Sequence, residues 1–259
     1  MSRSLQPLPI LDSVGEVFRG LLRHIRYLPR LALLPFTLSF ALILLKFLTE
    51  SDPLRLLFNL ADIFPVALFS FLWFRLLLYG PNPETLRPLP PFGEAFRRFV
   101  IYNLLLLAPL LVLQEMLPAP PPPGTEPAQV EAQAREQLGP MLLLMPLLFL
   151  YIVVMAGMSF LFPATAAGKV YGPKDSWRDT VGIKFAIFMI LLLVVFPALL
   201  ALELLSIPFD VIQALSGLVV PQLLLVAVAG YVLQALVTGV LTQAYRTRFG
   251  WTPPPPSTT

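Results

Sequence analysis

Apolar residues in this chain come in long unbroken runs rather than alternating with polar ones. The run Met141–Phe162, MLLLMPLLFLYIVVMAGMSFLF, contains no charged residue. A helix of that length crosses about 30 Å of hydrocarbon, so the run reads as a membrane span. Five more runs share this character: Leu31–Leu48, Leu57–Tyr79, Phe99–Leu117, Phe185–Leu205 and Leu218–Leu241. Together they predict an all-α polytopic membrane protein, its six transmembrane helices paired as three hairpins.

A different period governs residues 10–30. Asp12, Glu16, Arg19, Arg23, Arg26 and Arg30 recur at steps of four and three, opposite Leu11, Val14, Phe18, Leu21, Ile25 and Leu28. That is an amphipathic helix, with Ser13 and Glu16 spaced as a capping box at its start. Acids early and arginines late suit the helix dipole. A basic helix of this kind lies in the membrane surface, as an anchor leading into the first span. The expected organisation is therefore an interfacial helix over 1–30, a six-span domain over 31–248 with an external Pro-rich loop at 118–140, and a disordered tail over 249–259. No small-residue cleavage site follows the first apolar run, so no removable signal peptide is expected.

Charge fixes the orientation. Of the 18 basic residues, only Lys46, Arg55 and Arg135 fall on the side opposite the termini when six spans are threaded. The positive-inside rule then places both termini in the cytoplasm, with anionic lipid as the partner of that face. Composition agrees: 57% of residues are hydrophobic and 13% charged, against about a quarter charged in soluble domains. Cysteine is absent and His24 is the one histidine, which removes thiolate sites and argues against histidine metal clusters and Ser-His-Asp catalysis. No P-loop, GxGxxG or HExxH occurs, and no cofactor, catalytic site or nucleic-acid partner is expected.

Each pair of spans is preceded on the inner side by acid, any residue, aromatic, arginine. The copies are Glu16-Val17-Phe18-Arg19, Glu94-Ala95-Phe96-Arg97 and Asp175-Ser176-Trp177-Arg178. They predict three units, each an elbow helix followed by a hairpin, with the aromatic at headgroup depth and the arginine toward water or phosphate. Inside the spans the deep polar groups are Asn103, Gln222 and Gln234, all neutral. Asp62 and Arg75 fall near the ends of the second run, where a charge costs little. Ser39, Ser70 and Ser159 read as interhelical hydrogen-bonders, and Gly230, Ala235 and Gly239 as a small-residue strip for close helix contact.

The stretch FLFPATAAGKVYGPKDSWRDTVG adds a resemblance. Pro163-Ala164 near the inner end of the fourth span, a short basic loop, then Ser176, Trp177, Thr180 and Gly182 resemble a group of six-span bacterial inner-membrane proteins. These are similar to the membrane domain attached to some glycerophosphodiester phosphodiesterases. The resemblance implies that fold and a bacterial inner-membrane location, and no activity. Members often carry an arginine shortly before the Pro-Ala, where this chain has Gly157 and Met158.

Two functions follow as expectations. The first is a non-catalytic scaffold, assembly factor or accessory subunit packed against a membrane-protein partner. The second is a transporter or lipid-handling protein for a neutral or amphiphilic molecule, with Asn103, Gln222 and Gln234 lining its cavity. A polar cavity at mid-depth favours the second; a solid core with an apolar flank favours the first.

Overall fold

The computed structural model describes residues 7–49, 51–87, 93–115, 146–216 and 219–251, and among these every regular element is a helix. Helix α1 (Ile10–His24) passes through the 3-10 turn Ile25–Tyr27 into α2 (Leu28–Phe47). Then come α3 (Asp52–Tyr79), α4 (Glu94–Glu115), α5 (146–158), α6 (Leu161–Ala166), α7 (Pro173–Asp179), α8 (Lys184–Ser216) and α9 (Val220–Phe249). Among the described residues, five stretches are long and apolar enough to cross a membrane: Ile10–Phe47, Pro53–Tyr79, Pro146–Ala166, Lys184–Phe209 and Val220–Phe249. Helices of this kind belong to a multi-pass membrane protein. The remaining expected span, Phe99–Leu117, coincides with α4, which is not one of the five. Its first five residues hold Glu94, Arg97 and Arg98, and Glu115 closes it.

Several boundaries differ from the expectation. Helix α1 starts at Ile10 with Pro9 as its N-cap, so Ser13 lies inside the helix, buried and without a partner, and makes no capping box. Helix α3 starts at Asp52, five residues before the expected Leu57, because Ser51-Asp52-Pro53 supplies an N-cap position and a proline in the first turn. The turn expected over Ser206–Gly217 is instead helical as far as Ser216, with Pro208 inside α8. Phe249 ends α9, and Trp251 packs on Tyr79 and Tyr245, so these residues belong to the folded body rather than the tail. The loop 118–140 lies outside the described residues.

Helix α3 is the centre of the bundle, packing on α2, α4, α6 and α9. Between Ala67 and Leu78 it buries ten side chains, Trp73 completely, as a helix apolar on all faces must. Rings from three helices meet around Phe99, edge to face with Phe71 at 5.3 Å, Phe74 at 5.8 Å and Phe162 at 5.5 Å. Each such pair adds about 0.5–1.5 kcal/mol beyond its buried area. The C-terminal end of α3, the α6–α7 connection, the start of α8 and the end of α9 gather at one end of the molecule. Tyr79 donates to the Ala167 carbonyl at 3.0 Å, and Arg248 donates to the carbonyls of Asp179 at 3.2 Å and Val181 at 3.1 Å. Lys169 lies over the Trp251 ring, 4.7 Å from its centre. Toward the opposite end, Leu45, Phe47, Leu48, Leu54, Leu57, Leu204 and Leu205 stay exposed.

The gathered end is tied by one interruption. The helical run from Pro146 breaks at Ser159–Phe160 between α5 and α6, which frees backbone groups that hydrocarbon cannot satisfy. Helix α7 satisfies them. The Ser176 hydroxyl donates to the Gly157 carbonyl at 2.9 Å and accepts from the Phe160 N–H at 3.2 Å, while the Thr180 hydroxyl reaches the same carbonyl at 3.1 Å. Such an approach needs a residue without a side chain at 157, since a Cβ there would lie 2.3 Å from Cε3 of Trp177. The chain leaves α7 through Gly182 at φ +83°, a left-handed conformation that other residues avoid.

Replacing Gly157 by Ala should therefore force Trp177 off its seat and destabilise the protein by about 1–3 kcal/mol. Thermal unfolding in mild detergent would show it, and adding Trp177→Ala should recover part of the loss; an unchanged melting curve for the single variant would remove Gly157 from this role.

Candidate functional site

The three motif copies take three different structural forms. Glu16 and Arg19 pair at 3.0 Å in the middle of α1, and Asp175 and Arg178 at 3.4 Å in α7, a separate elbow before α8. In the second copy Glu94 opens α4 directly, with no elbow. Its carboxylate pairs with Arg98 rather than Arg97, which is exposed. The aromatics divide likewise. Phe18 and Trp177 are 38% and 37% exposed, whereas Phe96 is buried against Phe71 at 5.3 Å and Phe64 at 6.1 Å. Arg19, Arg98 and Arg178 are each held by an acid of their own helix, with Asp179 also 3.0 Å from Arg178. That bond is the chief reason the Arg178 guanidinium holds its proton more tightly than usual. Burial, and after it the bond donated to Asp179, push the neighbouring Tyr171 phenol well above its ordinary range. These are local ties within their own helices, and they do not converge on one point.

The expected polar trio also separates. Asn103 is buried and donates to the Phe99 carbonyl one turn back in α4 at 2.9 Å, which satisfies it within its own helix. Gln222 is half-buried in the first turn of α9. Gln234 alone lines a cavity, and its partner there is Ser70 of α3, whose hydroxyl accepts from its amide at 2.7 Å.

That cavity is a cleft of about 260 Å³ between α2, α3 and α9. Its polar wall consists of Ser39, Asp62, Tyr231 and Gln234; Ile43, Val66, Val226 and Ala227 form the apolar wall, and Gly230 leaves it open. The Ser39 hydroxyl donates to the Asp62 carboxylate. Its own proton thus used, Ser39 accepts from the Tyr231 phenol at 2.9 Å. Tyr231 is positioned by its ring, edge-on to Phe69 at 5.0 Å and Phe36 at 5.8 Å. Lys46, bonded to Asn59 at 2.9 Å one turn away along α3, attracts Asp62 without pairing to it.

Asp62 is the residue that sequence reasoning placed wrongly. With α3 beginning at Asp52 it is the eleventh residue of a 28-residue helix, well inside rather than at a boundary. The Ser51-Asp52-Pro53 start signal was the available clue. Ser39 and Ser70 do bond between helices, whereas Ser159 donates to Ala156 in its own helix at 2.9 Å. The small-residue strip divides too, since Gly239 meets Val17 of α1 while Gly230 faces the cleft.

An ionisable residue within a span marks a functional site by default. The cleft offers a carboxylate, a phenol, a hydroxyl and an amide on one side, and hydrocarbon on the other. It can hold the polar head of a small amphiphile by hydrogen bonds while burying its tail. The chain matches no protein-family model, no curated protein and no solved structure.

Ser39→Ala should leave Tyr231 and Asp62 short of a partner and cost about 1–3 kcal/mol. Ser39→Thr, which keeps the hydroxyl, should cost much less. Equal melting temperatures for the two variants in detergent would show that the hydroxyl does not hold this cluster.

Proposed function

We propose that the protein binds an amphiphilic molecule within the membrane, at the cleft between α2, α3 and α9, as a lipid-handling protein or transporter rather than an enzyme. In this reading it is a bacterial inner-membrane protein of six spans in three hairpins, with both termini in the cytoplasm. Support for the orientation comes from the gathered end of the bundle, where Arg23, Arg178 and Arg246 lie, while Lys46 and Arg55 sit at the other.

The single observation that carries the function is the placement of Asp62 with Ser39, Tyr231 and Gln234 inside the helical bundle. Burying such groups is costly unless they are used. Acceptor oxygens on Asp62 favour a head that donates hydrogen bonds, and Ile43, Val66 and Val226 favour a tail. The accessory-subunit reading comes second. Its support is the exposed apolar flank along α8, including Leu193, Leu200 and Leu204.

Native mass spectrometry of the full chain in mild detergent tests the choice. The wild type should carry a bound amphiphile that Asp62→Asn and Tyr231→Phe release, each lowering occupancy at least tenfold at matched concentration, about 1.4 kcal/mol. A folded Asp62→Asn variant with unchanged occupancy, alongside a stoichiometric protein partner, would favour the accessory subunit. For the orientation, reporters fused to the two ends should both read out on the cytoplasmic side; opposite sides would overturn the six-span threading.

A further inference from the structure

A second cavity lies on the other side of the bundle, in the groove between α5 and α8, floored by Val237 and Leu241 of α9. Its volume is about 350 Å³, within the range of small-ligand sites. Along α8 its lining runs from Phe188 to Leu199, eleven helical steps or about 16 Å at 1.5 Å per residue. The only hydroxyls in its lining are already committed, Tyr151 to the Leu106 carbonyl at 2.8 Å and Ser159 to Ala156. Nothing along the groove therefore asks for a polar ligand, and its walls suit an unbranched hydrocarbon chain.

The end of the groove is chemically different. Phe188 stands one turn beyond Lys184 on α8, and the Lys184 ammonium lies 3.2 Å from the centre of the Trp177 ring. Trp177 in turn covers Gly157 of α5, beside the groove residue Ala156. Among the described residues Lys184 has no carboxylate partner, unlike Arg19, Arg98 and Arg178. A cation at the mouth of an acyl-shaped groove, steadied by an aromatic ring but not neutralised, is complementary to a lipid phosphate.

We propose that the α5–α8 groove with Lys184 and Trp177 at its mouth is a binding site for an anionic phospholipid, the phosphate on Lys184 and one acyl chain along Phe188, Leu192 and Phe196. The site is separate from the α2–α3–α9 cleft and does not depend on it.

The test is a titration of the full-length protein in mild detergent with palmitoyl-oleoyl phosphatidylglycerol, phosphatidylcholine of the same chains, and free glycerol phosphate, read by native mass spectrometry. The wild type should bind phosphatidylglycerol at least tenfold more tightly than phosphatidylcholine and should not bind glycerol phosphate measurably. Lys184→Gln should abolish the preference and Lys184→Arg should keep it, while Leu192→Trp, which fills the groove, should weaken both lipids. Asp62→Asn should change none of these, which keeps this result distinct from the one for the cleft. Undiminished phosphatidylglycerol preference in folded Lys184→Gln, unaltered binding by Leu192→Trp, or displacement of the lipid by a co-purified membrane protein seated on α8 would each overturn the assignment.

Discussion

The fold depends on how one broken helix satisfies its backbone. In hydrocarbon an unpaired carbonyl or amide has no water to turn to, so a chain that interrupts a span must supply partners from elsewhere. Here the interruption at Ser159–Phe160 is met by the hydroxyls of Ser176 and Thr180, both reaching under α5 from the short helix α7. That contact fixes where α7 lies. With α7 fixed, Trp177 covers Gly157, Tyr171 bonds Asp179, and Arg248 from the end of α9 bonds the chain leaving α7. The gathered end of the bundle is organised around this tie, and the aromatic cluster centred on Phe99 packs beside it.

A consequence, among the described residues, is close packing at one end and looser packing toward the other. Both cavities follow from it. Where α2, α3 and α9 diverge, a pocket opens that polar residues line; where α5 and α8 diverge, the pocket is apolar. The first concentrates hydrogen-bonding groups in a region where each must be paired, so its composition is specific. The second asks only for hydrocarbon except at its mouth. The two spaces thus differ in chemistry and lie on opposite sides of α9.

Much of the architecture was legible because apolar run length and charge sorting are strong, local signals. The runs became helices, and the basic residues at Arg178, Arg246 and Arg248 gathered at one end. What the sequence hid was of two kinds. Helix limits set by hydropathy alone trimmed α3 at Leu57 and so misplaced Asp62, although the polar Ser51-Asp52-Pro53 marks the true start. The break in α5 was hidden for another reason: Ser159-Phe160 carries neither glycine, proline nor charge. The cleft itself is non-local, bringing Ser39 to Asp62 across 23 residues and to Tyr231 across 192. No periodicity within one helix encodes such a meeting. The repeat of acid, aromatic and arginine was visible, yet its three copies proved to be local pairs in unlike settings, because each is built into a different part of its helix.

One arrangement bears on how the chain comes to be built. Helix α1 has three faces: arginines and acids on one, Leu11 and Leu22 exposed on the next, and Ser13 and Val17 buried on the third. That third face rests on α9 and α8, with Val17 seated over Gly239. A helix made early thus docks on one made about 200 residues later. Contacts of such long range close slowly and late, so through most of synthesis α1 waits without its seat, and completion of α9 is what allows the circle of helices to shut.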